Sequence, residues 1–111
     1  MSLAEDRLHL LRRVDAARSF EEFTLRKLEL TWIDATCLYE VYDTPVLSDA
    51  SWDKLTRYLA PRYPHLSSYF RYAVPEENLI STTGSGIDWA SGILALSVAN
   101  CKIIISMLKT E

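Results

Sequence analysis

Apolar residues at Leu25, Leu28, Trp32, Ala35, Tyr39 and Tyr42 recur with spacings 3-4-3-4-3. That spacing places one continuous stripe on one side of a helix and requires a partner to cover it. A second row, Leu30, Ile33, Cys37 and Val41, widens the stripe. Ser19 offers an N-cap with Glu22 three residues on, a capping-box pattern, so the spacing predicts a long helix over residues 20–42. Asp43-Thr44-Pro45 stops it, because proline cannot continue a helix and restricts the residue before it.

The other segments read the same way. Residues 3–18 form a charged helix with Leu8, Leu11 and Val14 inward. Ser48 or Asp49 caps a third helix to about Ala60, with Trp52, Leu55 and Leu59 on one face. Pro61 and Pro64 bracket a turn, residues 65–72 make a short helix, and residues 75–86 a loop. Residues 87–109 are long and apolar enough to cross a bilayer. Asp88, Ser91, Lys102, Ser106 and Lys109 nevertheless gather on one arc of a helical wheel, opposite Trp89, Leu96, Ile103 and Met107. The segment is therefore expected to be an amphipathic core helix and not a membrane span. Asn100 falls on its apolar side and needs a buried hydrogen-bond partner. The expected fold is all-α: one domain over residues 1–111, with a helical hairpin over residues 20–60 and a C-terminal core helix over residues 87–109.

With 111 residues, 49% hydrophobic and 24% charged, the chain has the makings of one self-sufficient core. The net charge of −3 gives no general support for nucleic-acid binding. Its distribution is uneven: residues 1–53 carry −5 and residues 54–72 carry +4. The basic segment repeats Arg-Tyr at Arg57-Tyr58, Arg62-Tyr63 and Arg71-Tyr72, with Tyr69 and Phe70 beside it. Interleaved cations and rings suit single-stranded nucleic acid. The alternative is that the tyrosines enter the core and the arginines pair with acids of the first two helices. Cys37 and Cys101 lack metal spacing and are expected to be buried, reduced thiols, as in a cytoplasmic protein. The charged start, Glu5-Asp6-Arg7, lacks the apolar run of a leader peptide. His9 and His65 have no evident partners, so no general base is assigned.

The most distinctive stretch runs from Tyr39 through Asp43-Thr44-Pro45 to Ser48-Asp49-Ala50-Ser51-Trp52-Asp53-Lys54-Leu55. Asp49, Trp52 and Asp53 share a face at the start of the third helix, and Tyr39 lies one turn before the end of the second. A hairpin of these helices brings two rings and two carboxylates together, which suits a flat cationic ligand. The same residues also serve without a ligand: Asp49 as a dipole partner, Trp52 in the core, Asp53 as a surface charge.

This stretch resembles the N-terminal Ia domain of NAD-dependent bacterial DNA ligases. That family has a tyrosine-rich helix end, an Asp-x-Pro turn, and a Ser-Asp-Ala-x-aromatic-Asp-x-Leu helix start. About twenty residues correspond, and Arg62-Tyr63-Pro64 stands where the family has a His-Pro step. The resemblance implies recognition of the nicotinamide mononucleotide (NMN) half of NAD, with contacts at Tyr39, Asp49, Trp52 and Asp53. Trp52 replaces the family's usual tyrosine, and Glu40 stands in place of histidine or tyrosine. An acid at Glu40 disfavours a phosphate, so either nicotinamide or its riboside fits better than the nucleotide, or binding is lost.

The family's catalytic Lys-x-Asp-Gly motif begins at none of Lys27, Lys54, Lys102 or Lys109, so the chain is not expected to seal DNA. Thr83-Gly84-Ser85-Gly86 precedes a helix, a placement suited to cradling an anion, but it lacks a Walker lysine and the spacing of a dinucleotide fingerprint and is expected to be a flexible connector. Three functions follow: a stand-alone NMN- or NAD-binding module, a phage or mobile-element modulator of a host NAD-using enzyme or ligase that keeps the fold only, or a small nucleic-acid binder through Arg57, Arg62 and Arg71. The expected setting is the cytoplasm of a bacterial cell or phage-infected host. The apolar C-terminal helix leaves room for a homodimer.

Overall fold

The computed structural model describes residues 2–111. Among them are six α-helices and no strand, so the fold is all-α as expected. The helices are α1 Leu3–Ala16, α2 Leu25–Glu40, α3 Asp49–Leu59, α4 Ser68–Ala73, α5 Glu76–Ile80 and α6 Ala95–Lys109. Short 3-10 turns fall at Phe20–Glu22, Ala60–His65 and Gly92–Leu94.

Ser2 and Glu5 form a reciprocal capping box that starts α1. The box expected at Ser19 and Glu22 does not form. Ser19 Oγ accepts from the Glu21 amide and caps only the 3-10 turn. The chain then extends through Phe23, and Thr24 caps α2 by accepting from the Lys27 amide. The break has a packing reason: it lets both Phe20 and Phe23 enter the core. The Tyr58 ring meets Phe20 edge-on at 5.4 Å, and the Arg13 guanidinium lies 5.2 Å from the Phe23 ring centre.

At the far end of α2 the chain turns through Asp43 at φ 50°, in the left-handed region that Asp tolerates better than most residues. The Asp43 amide donates to the Tyr39 carbonyl and the Thr44 amide to the Leu38 carbonyl. Ser48 caps α3 by accepting from the Ser51 amide, which decides between Ser48 and Asp49. Asp15, at the end of α1, accepts from the Ser48 amide at 3.0 Å.

Helices α1, α2 and α6 pack on one another, and α3 closes over α2. Their meeting point is ionic. Arg7 of α1 donates to both oxygens of Asp34 on α2, at 2.6 and 2.9 Å, and to Ser97 of α6 at 3.1 Å. Ser97 donates in turn to Asp34 at 2.9 Å. Burial pushes the Asp34 carboxyl up, while the Arg7 and Ser97 bonds oppose it. Cys37 and Cys101 are buried free thiols, and Cys101 Sγ donates to the Asp34 carbonyl. The neighbouring Cys37 thiol, together with burial, pushes the Cys101 thiol up.

Three expectations need correction. Residues 75–86 are not all loop, since α5 occupies Glu76–Ile80. The short helix expected over residues 65–72 begins only at Ser68, after Ser67 caps it. The helix expected over residues 87–109 begins at Ala95. Before it, the Asp88 carboxylate accepts from the Ala90 amide and Ser91 Oγ from the Ile93 amide, local bonds that compete with a helix.

The face of α6 is also turned. Ser97, Asn100, Cys101 and Ile104 are buried, whereas Leu96 and Ile103 are 60% and 49% exposed alongside Lys102, Ser106 and Lys109. Ser97 and Cys101 are drawn inward by Asp34, and their small size admits close helix approach. Asn100 is buried as expected, but its Nδ2 has no hydrogen-bond partner among the described residues.

Candidate functional site: a pocket at the α2–α3 hairpin

Two tryptophans lock the hairpin reciprocally. Trp52 Nε1 on α3 donates to Thr36 Oγ1 on α2 at 2.9 Å, and Thr36 donates to the Trp32 carbonyl. Trp32 Nε1 donates to Thr56 Oγ1 on α3 at 2.8 Å, and Thr56 donates to the Trp52 carbonyl. Each helix thus contributes a Trp-x-x-x-Thr segment, residues 32–36 and 52–56, and each indole N–H is satisfied by the other helix's threonine. The rings lie 5.8 Å apart with 30° between their planes. Trp32 is fully buried and Trp52 half-buried. The clasp sets the direction of the Trp52 ring.

Beside the clasp is a cavity of about 440 Å³. The residues singled out from the sequence, Tyr39, Glu40, Asp49, Trp52 and Asp53, all line it. Tyr39 and Glu40 come from the last turn of α2, and the other three from the first turns of α3. Tyr39 is 55% exposed, so its ring is open to a ligand. The hairpin therefore brings together the two rings and two carboxylates that the spacing anticipated.

Ala35, Thr36, Pro45 and Leu47 complete the hairpin's side of the lining, and a loop wall comes from Thr82, Thr83 and Gly84. Far from being an unattached connector, this loop is pinned. Asn78 Nδ2 donates to the carbonyls of Thr83 and Ser85, at 2.9 and 2.8 Å. Gly84 is buried against α2 so closely that a Cβ there would stand 2.5 Å from Thr36 Cγ2 and 3.2 Å from Glu40 Oε1. Thr82 is held at φ 52°, a left-handed conformation costly for a β-branched residue. Sequence reasoning missed Thr36, Thr82, Thr83 and Gly84. The repeated Trp-x-x-x-Thr spacing was the available signal for Thr36; the loop residues left none, because their role depends on a contact across the fold.

The basic segment lines no part of this cavity. Arg57 donates to Asp53 on its own helix at 2.9 Å. Arg62 stacks on the Tyr58 ring at 3.7 Å and donates to the Tyr58 carbonyl. Arg71 donates to the Leu66 carbonyl. These arginines bind within their own segment and not the acids of α1 and α2. Tyr58 and Tyr63 are half-buried, and Tyr72 is 78% exposed. Among the described residues, no three His, Cys, Asp or Glu side chains are grouped to hold a metal ion.

Compared with known proteins, the chain matches no family model, no curated protein and no solved structure.

Proposed function

We propose that the chain is a recognition module for a nicotinamide-containing ligand, the NMN portion of NAD or a fragment of it, related in design to the ligase Ia domain that residues 39–55 resemble. The observation that carries this reading is the convergence of Tyr39, Glu40, Asp49, Trp52 and Asp53 on one cavity of about 440 Å³. That volume lies within the range of small-ligand sites. In this reading the nicotinamide ring stacks on Trp52 and Tyr39, and the carboxylates accept hydrogen bonds from ribose hydroxyls.

Titration calorimetry with NMN, NAD and nicotinamide riboside tests the proposal. Binding by at least one is expected, and Tyr39→Ala, at an exposed position, should weaken it by roughly 2–10-fold without lowering the melting temperature. Absence of heat for all three at millimolar ligand overturns it.

A further inference from the structure

We infer that this pocket selects organic cations and rejects phosphate, so that its ligand is a phosphate-free pyridinium of the nicotinamide riboside class rather than the mononucleotide. The inference rests on the nicotinamide reading of the same cavity and narrows it. Every charged side chain that lines the cavity is an acid: Glu40, Asp49 and Asp53. Asp53 is neutralised by Arg57, whose side chain is 72% exposed and is not part of the lining. Glu40 and Asp49 have no ion-pair partner among the described residues. Glu40 Oε1 is laid against the loop wall at Gly84.

The start of α3 is the one place in the hairpin where an anion would ordinarily be welcome, because helix N-termini carry free amides and a positive dipole end. Here that end is partly used: the Ser48 amide already donates to Asp15, the Ser51 amide to Ser48 Oγ and the Trp52 amide to the Ser48 carbonyl. Asp49 sets its own negative charge on the first turn. A phosphate entering the cavity meets the carboxylates of Glu40 and Asp49, neither of them ion-paired among the described residues, and no cation in the lining. A pyridinium meets the same carboxylates as counter-ions, with the faces of Tyr39 and Trp52 beside it.

The test is calorimetry at low salt with five probes: nicotinamide, N-methylnicotinamide, nicotinamide riboside, NMN and N-methylpyridinium. Nicotinamide riboside is expected to bind about tenfold tighter than both NMN and neutral nicotinamide. Glu40→Gln, an isosteric change at an exposed residue, should weaken the riboside several-fold and close the gap to NMN. An unchanged melting temperature verifies that this variant is folded. NMN binding as tightly as the riboside overturns cation selection while leaving the nicotinamide reading intact. N-methylpyridinium binding as tightly as N-methylnicotinamide and the riboside supports cation selection and overturns the nicotinamide reading. Absence of binding by every probe overturns both.

Discussion

Arg7 stands in the charged run Glu5-Asp6-Arg7, which reads as a solvated face, yet it is only 8% exposed and grips Asp34 with two hydrogen bonds. Its spacing to Leu11 and Val14, four and seven residues, places it on the inward face, unlike Arg12 or Arg13, but what it meets there shows only through its partner. Asp34 lies between Ile33 and Ala35, in a stretch buried on every side, and that position was the faint clue. Removing one partner of a buried pair strands the other charge. Arg7→Met alone should cost about 3–5 kcal/mol, whereas Arg7→Met with Asp34→Leu should recover most of the loss. Urea denaturation of the two variants checks this, and a double variant as unstable as Arg7→Met overturns the stranded-charge account. The need of Asn100 for a partner was legible from its place on the wheel. That its Nδ2 would go without one was not, since satisfaction depends on atoms of other helices.

Elements were readable where side chains act locally. A cap at Ser48 or Asp49, the stop of α2 shortly before Pro45 and the close of α3 near Ala60 follow from short-range chemistry. The start of α2 was misplaced because two buried phenylalanines outweigh a local capping pattern. The loop wall was misread because Gly84 is required by Thr36, nearly fifty positions away. Gly84→Ala should cost about 1–3 kcal/mol, since Thr36 is stiff at χ1 and fully packed. Thr36→Ser removes the offending methyl but keeps the hydroxyl that Trp52 needs, so it should restore stability in the double variant; melting temperatures of the three variants decide it.

The bond from the Ser48 amide holds the Asp15 carboxyl below its usual range. Its contribution to stability is therefore complete above the unfolded value near ~3.9 and is lost as pH falls through the lower folded value. Stability of the native chain should decline across that acid window. In Asp15→Asn the decline should be shallower, as denaturant midpoints measured from about pH 6 down to about pH 2 will show.

At the scale of the whole molecule, a radius of gyration of 12.9 Å is close to the ~13 Å expected for this chain length. The composition foretold that compactness, but not which side of α6 faces inward. Averaging hydrophobicity around a wheel favours Leu96 and Ile103, while the fold buries Ser97 and Cys101 because they meet Asp34. Ile104→Ala should cost about 2–5 kcal/mol, and Ile103→Ser, one position away, less than about 0.5 kcal/mol. Equal losses in a thermal melt would return the helix to the orientation expected from the wheel. The Trp32–Trp52 clasp also gives the molecule an internal optical gauge. Two indoles at fixed separation and tilt couple in the near ultraviolet, and only Trp52 borders the cavity. Loss of that signal on denaturation reports the hairpin, while a ligand-induced change in fluorescence without loss of the coupling reports occupancy alone.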